Sequence, residues 1–125
     1  MKSEREILKK LTLREKIGLL EGVDSWKTRE IPRLGVRALY LTDGPLGVRK
    51  KATYTGRGAV GLGRAKPATL FPAPATLAAS FDPALSERVG RAMGREARAY
   101  GVDVLLAPAM NVKRDPRCGR NFEYY

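Results

Sequence analysis

The chain has no histidine and a single cysteine, Cys118. One thiol cannot close an internal disulfide. Without imidazoles a zinc site would have to be built from several carboxylates plus that thiol, so no metal is expected, and the motifs below imply no organic cofactor. Long apolar runs are missing as well. The most apolar stretch, Ala68 to Phe81, is interrupted by Pro72 and Pro74 and is too short to cross a bilayer. Behind Met1, the stretch Lys2 to Lys10 is charged and lacks the apolar segment of a secretory leader, which makes a cytoplasmic protein without a membrane partner the expectation. Negative charge is scarce too: 24 Lys and Arg stand against 13 Asp and Glu, for a net charge of +11. That excess invites a nucleic-acid reading. The basic residues are nevertheless scattered, in pairs such as Lys9-Lys10 and Lys50-Lys51, with neither a long basic run nor an aromatic-interleaved stripe. Solvated surface charge is the simpler account, and no nucleic-acid partner is expected.

What is present suits a soluble α/β chain. The 125 residues, 43% of them hydrophobic, are enough for one ordinary domain. A closed (β/α)8 barrel takes roughly 200 to 250 residues, so the chain could supply only part of one. Residues 3 to 22 carry Ile7, Leu8, Leu11, Ile17, Leu19 and Leu20 at roughly helical spacing. Thr12 followed by Glu15 is a capping-box pattern, predicting a break near Leu11 and a fresh helix from Leu13 to about Glu21, ended by Gly22. Residues 31 to 35 read as a turn. Val36 to Thr42 is a strand candidate closed by the turn signal Asp43-Gly44-Pro45. From Gly44 to Ser80 the composition predicts a long loop, with Gly56, Gly58, Gly61 and Gly63 clustered in it but no strand leading into a phosphate-binding fingerprint. Asp82 as N-cap and Pro83 in the first turn open a helix that places Leu85, Val89, Ala92, Met93, Ala97 and Tyr100 on one face, with Arg88, Arg91, Arg95 and Glu96 mostly off it. Gly101 stops it, and the apolar run Val102 to Ala107 reads as a strand buried on both faces. Strand, helix, strand favours a parallel sheet.

In such sheets the functional residues sit just past the C-terminal ends of strands. Two polar segments qualify, 41–49 (LTDGPLGVR) and 111–123 (NVKRDPRCGRNFE). Taken alone, Asp43 could do no more than close a turn with the Gly-Pro that follows, and an arbitrary Arg is more often a surface ion pair than a ligand contact.

Read in order, Ile31-Pro32-Arg33-Leu34-Gly35, then TDGPLGVR at 42–49, then Phe71-Pro72 leading to LAASFD at 77–82, then CGRNFEY at 118–124, the chain resembles the opening of family 3 glycoside hydrolases, from about Leu11 to Tyr125. The resemblance implies an α/β fold, the N-terminal fragment of a (β/α)8 TIM-like barrel, with residues 1–125 a partial barrel domain and the rest of the barrel and a C-terminal domain absent. It implies part of a retaining β-glycosidase that hydrolyses terminal β-D-glucosyl residues, acting on a small-molecule β-glycoside or oligosaccharide and completed by the missing C-terminal portion. Asp43, Arg49 and Arg120 match residues that bind the sugar, and Glu123, in the same motif, is expected to support Arg120, with a catalytic carboxylate as its rival role. A carboxylate can take two hydroxyls in a fork and a guanidinium offers a planar array of donors, so these residue types suit a sugar. No catalytic residue is expected in this chain: the aspartate nucleophile and the acid/base carboxyl of the family lie further downstream. Lys27 and Lys113 stand where β-glucosidase members commonly have His, and Cys118 is expected as a small buried thiol. A non-catalytic carbohydrate-binding remnant and a basic nucleic-acid-binding protein are the alternatives.

Overall fold

The computed structural model describes residues 3–52 and 65–125, so the four clustered glycines at 56, 58, 61 and 63 lie outside the described residues. The chain divides into two compact units, Met1–Tyr40 and Leu41–Tyr125.

In the first unit, helix α1 spans Glu4–Lys10 and α2 spans Leu13–Gly18. Each begins with a complete capping box, Ser3 with Glu6 and Thr12 with Glu15, in which hydroxyl and carboxylate satisfy amides that a helix start leaves open. The break predicted near Leu11 is therefore present. The second helix, however, ends at Gly18 rather than near Glu21, and Gly22 pairs instead with Thr28. Glycine disfavours continued helix, and Gly18 lies so close to Arg29 that an added Cβ would sit 2.8 Å from its Cδ. The predicted turn is a 3-10 turn over Pro32–Leu34, closed by Gly35 at φ 72. Leu11, Ile31 and Leu34 form the buried core, with Ile7, Leu19 and Val36 packed around it. Arg33 ties the turn to the helices: its Nε donates to Glu15 Oε1 at 2.7 Å, one Nη to the Lys10 carbonyl at 2.9 Å, and the same Nη to Glu15 Oε2.

The second unit holds strand β1 (Leu41–Asp43), helices α3 (Pro74–Ala79) and α4 (Pro83–Ala99) and strand β2 (Val104–Leu106). The strands pair in parallel, Leu41 with Val104, Thr42 with Leu105 and Asp43 with Leu106. Both are shorter than their apolar runs. Val36 bridges to Ile31 and Tyr40 to Lys27, so the expected strand from Val36 begins only where β2 offers a partner. A ladder is as long as its shorter member. Nor is β2 buried on both faces: Val104 and Leu105 are half-buried and Leu106 is 49% exposed. The helix from Pro83 forms as predicted, with the Asp82 carboxylate accepting from the Leu85 amide at 3.0 Å and with Met93 and Ala97 buried. Glu96 departs from expectation: it is half-buried and turned toward Thr69. α3 is an element the composition hid inside a long loop. Pro74 opens it, and Pro74 and Leu77 are buried where α3 packs on α4 and on a 3-10 turn, Asn121–Glu123. Among the described residues no helix is long and apolar enough to cross a membrane.

Candidate functional site

Asp43 is the last residue of β1 and half-buried. The chain leaves it in a loop that closes on itself: the Arg49 amide donates to the Asp43 carbonyl at 3.1 Å, and the Thr42 hydroxyl donates to the Arg49 carbonyl. Thr42 is wholly buried, and this bond satisfies its hydroxyl. The result is that Arg49, six positions on in sequence, is held beside Asp43. Two glycines permit it. Gly47 has φ 145, and a Cβ there would come within 2.2 Å of the Thr69 carbonyl oxygen; a Cβ on Gly44 would come within 2.3 Å of Leu105 Cδ1. The Phe71 amide then donates to the Leu46 carbonyl at 2.8 Å, stitching the loop to the segment that leads into α3.

Arg120 and Glu123 come from the other polar segment. Arg120 precedes the 3-10 turn and Glu123 ends it, the Glu123 amide donating to the Arg120 carbonyl at 3.0 Å, and the guanidinium meets the carboxylate as a fork, Nε to Oε1 at 2.9 Å and Nη to Oε2 at 2.6 Å. The Glu123 side chain is 16% exposed and that of Arg120 70%. The hydrogen bonds from Arg120 hold the Glu123 carboxyl below its ordinary range, and Glu123 in turn pushes the Arg120 guanidinium up. Both oxygens of Glu123 thus accept from Arg120, which suits a residue that fixes an arginine. The segment is anchored upstream by the Asn121 amide group on the Asp115 carbonyl at 2.9 Å, and downstream by Tyr124, which bridges in parallel to Ala109. Cys118 is exposed, not buried as expected, because the turn that carries it runs along the surface and directs Asn121, not the thiol, inward.

These pieces surround one cavity of about 590 Å³, whose walls include Asp43, Arg49, Arg120 and Glu123. All four residues singled out from the sequence are brought together, although 80 positions separate the first and the last. Lys113 is not among the lining residues, and Lys27 belongs to the first unit. The cavity also has walls the sequence did not disclose: Lys66, Ala68, Thr69 and Leu70 from the segment before α3, and Phe122 beside Arg120. Phe122 stands inside a motif already noted, but nothing in residues 66–70 marks them locally. Chemically the cavity offers a carboxylate acceptor, cationic donors and an aromatic face, a set that suits a polyhydroxylated ligand. Among the described residues no group of three His, Cys, Asp or Glu side chains could hold a metal ion.

Residues 4–125 match the model of the glycosyl hydrolase family 3 N-terminal domain. The chain is 46% identical to thermostable β-glucosidase B of Acetivibrio thermocellus, over 97% of this chain and 16% of that protein, and 46% identical to a β-glucosidase of Rhizobium radiobacter, over 96% and 14%. It therefore spans about one sixth of the length of the curated relatives it matches. Among solved structures, β-glucosidase 3B of Thermotoga neapolitana in complex with α-D-glucose superposes with a TM-score of 0.83 at 44% identity, covering 97% of this chain and 18% of that one. The β-glucosidase of Bifidobacterium adolescentis does so with a TM-score of 0.79 at 38% identity, over 94% and 16%. On sequence and on structure alike, the chain belongs to glycosyl hydrolase family 3, matching its N-terminal domain.

Proposed function

We propose that this chain forms the sugar-binding opening of a (β/α)8 barrel in a retaining β-glycosidase that hydrolyses terminal β-D-glucosyl residues. The observation that carries the reading is the convergence of Asp43, Arg49, Arg120 and Glu123 on one cavity at the C-terminal end of β1. In this reading Asp43 accepts two hydroxyls of the non-reducing sugar, while Arg49 and Arg120 donate to the same ring and Glu123 keeps Arg120 in place. Their contribution is positioning: the sugar is held so that a nucleophile and an acid/base carboxyl, supplied from beyond Tyr125, meet the anomeric carbon and the leaving oxygen. The β-glucosidase names of the relatives and the glucose bound to the Thermotoga neapolitana neighbour support the choice of sugar.

The test is hydrolysis of an aryl β-D-glucoside by the enzyme that carries this chain. Asp43→Ala removes charge-assisted hydrogen bonds worth about 1.5 to 3 kcal/mol each, so kcat/KM should fall by roughly a hundredfold or more. An unchanged kcat/KM would remove Asp43 from the site. Residues 1–125 alone should show no turnover, and measurable hydrolysis by them would place a catalytic pair inside this chain. Glucose binding by the natural protein without any turnover would favour the carbohydrate-binding reading instead.

A further inference from the structure

We infer that Glu96, in the last turn of α4, and Tyr100, the residue that caps its C-terminus, are positioning residues that set the shape of the sugar cavity without touching its ligand. This rests on the reading of that cavity as the sugar site. Neither residue is part of the cavity wall. Both grip the segment that is. Glu96 Oε1 accepts from the Thr69 amide at 3.0 Å and lies 3.5 Å from the Thr69 hydroxyl, and the Tyr100 hydroxyl donates to the Pro67 carbonyl. The Lys66 ammonium lies 5.4 Å from the centre of the Tyr100 ring, within cation–π range. α4 thus holds residues 66, 67 and 69, and the cavity wall includes Lys66 and Thr69.

The constraint passes on to the opposite wall. The Thr69 carbonyl lies against Gly47, in the space a Cβ would occupy, and the Phe71 amide bonds the Leu46 carbonyl at 2.8 Å. The 44–48 loop so pinned ends at Arg49, whose amide is bonded to Asp43. A contiguous set of contacts therefore runs from α4 to both sugar-facing residues of the first motif. The cost borne by Glu96 fits such a role. Its second oxygen, Oε2, is buried without a hydrogen-bond partner among the described residues. Desolvating a carboxylate oxygen in this way is unfavourable, and a neutral residue at this helix position would avoid it.

Glu96→Ala, Glu96→Gln and Tyr100→Phe are compared in the enzyme that carries this chain, by aryl β-glucoside kinetics, glucose inhibition and amide hydrogen exchange at Thr69 and Arg49. Glu96→Ala should raise KM and weaken glucose inhibition by roughly tenfold each, with a smaller change in kcat, and should speed exchange at Thr69 by a similar factor. Glu96→Gln keeps a carbonyl acceptor at the same reach and should restore most of both. Tyr100→Phe, which removes a single hydroxyl, should act in the same direction by about threefold. Unchanged Thr69 exchange and glucose inhibition in Glu96→Ala would overturn the proposal, as would a loss of Tm and kcat with KM and glucose inhibition unmoved. If the wild-type enzyme neither hydrolyses the glucoside nor binds glucose, the sugar-site reading fails, while exchange at Thr69 and Arg49 still decides whether Glu96 holds the wall.

Discussion

Glu15 shows how much one side chain can be asked to do. The hydrogen bond from Arg33, reinforced by the Thr12 amide and hydroxyl, takes its carboxyl from the ordinary 4.5 to about 2. Because the folded value is depressed, the stabilisation is fully present above pH 4.5 and is lost as pH falls from there through about 2. Carboxyl NMR should find Glu15 still ionised at pH 4.5, where ordinary exposed glutamates are half-titrated, and the stability gap between wild type and Glu15→Gln should narrow as pH drops through that window. A Glu15 midpoint near 4.5 would mean the Arg33 pair does not persist in solution. Glu123 is held low by Arg120 in the same way, but its consequence is positional. Glu123→Gln keeps the shape and loses the charge, so KM should rise by roughly tenfold with kcat less affected, and substrate kinetics would show it. The Asp82→Ala change is simpler. It removes an N-cap bond to Leu85 and should cost about 1 kcal/mol by denaturant unfolding.

At the scale of elements, the loop after β1 is the part whose geometry tolerates least. Gly47 combines φ 145 with a carbonyl oxygen where a side chain would begin, so Gly47→Ala requires either the loop or the Thr69 segment to move. The expected result is a loss of glucoside turnover of at least about tenfold, larger than the loss from Gly90→Ala on α4, where a Cβ meets nothing within 4 Å. Equal effects from the two changes would mean the loop is not held as described. The elements that were legible in the sequence are those with local signals. The Thr12–Glu15 capping box, the Asp82-Pro83 start and the apolar face of α4 are all written within one or two turns of chain. α3 was not legible, because its small residues Ala75, Thr76, Ala78 and Ala79 give no amphipathic stripe, and its formation rests on packing Pro74 and Leu77 against α4 and the turn at Asn121–Glu123. Strand ends were misplaced for a related reason: apolar runs mark residues able to join a sheet, whereas the pairing partner decides which of them do.

At the scale of the whole molecule, two parallel strands of three residues each form a sheet with edges, and many large apolar side chains are exposed, among them Leu20, Leu70, Phe81 and Met110. Residues 1–125 expressed alone should therefore melt broadly and at low temperature, and they should tend to associate. A sharp, concentration-independent transition of a monomer would contradict this. The order of the four motifs, the presence of residue types suited to a sugar and the absence of histidine were determined by the sequence alone, because they are properties of composition and succession. What only the tertiary structure decided is how Asp43, Arg49, Arg120 and Glu123 come to share one cavity, and that Lys66, Ala68, Thr69 and Leu70 complete its walls. The physical reason is that these contacts depend on register and close approach between distant segments: the Thr42–Arg49 bond, the missing Cβ of Gly47 and the grip of Glu96 on Thr69 leave no local pattern in the chain.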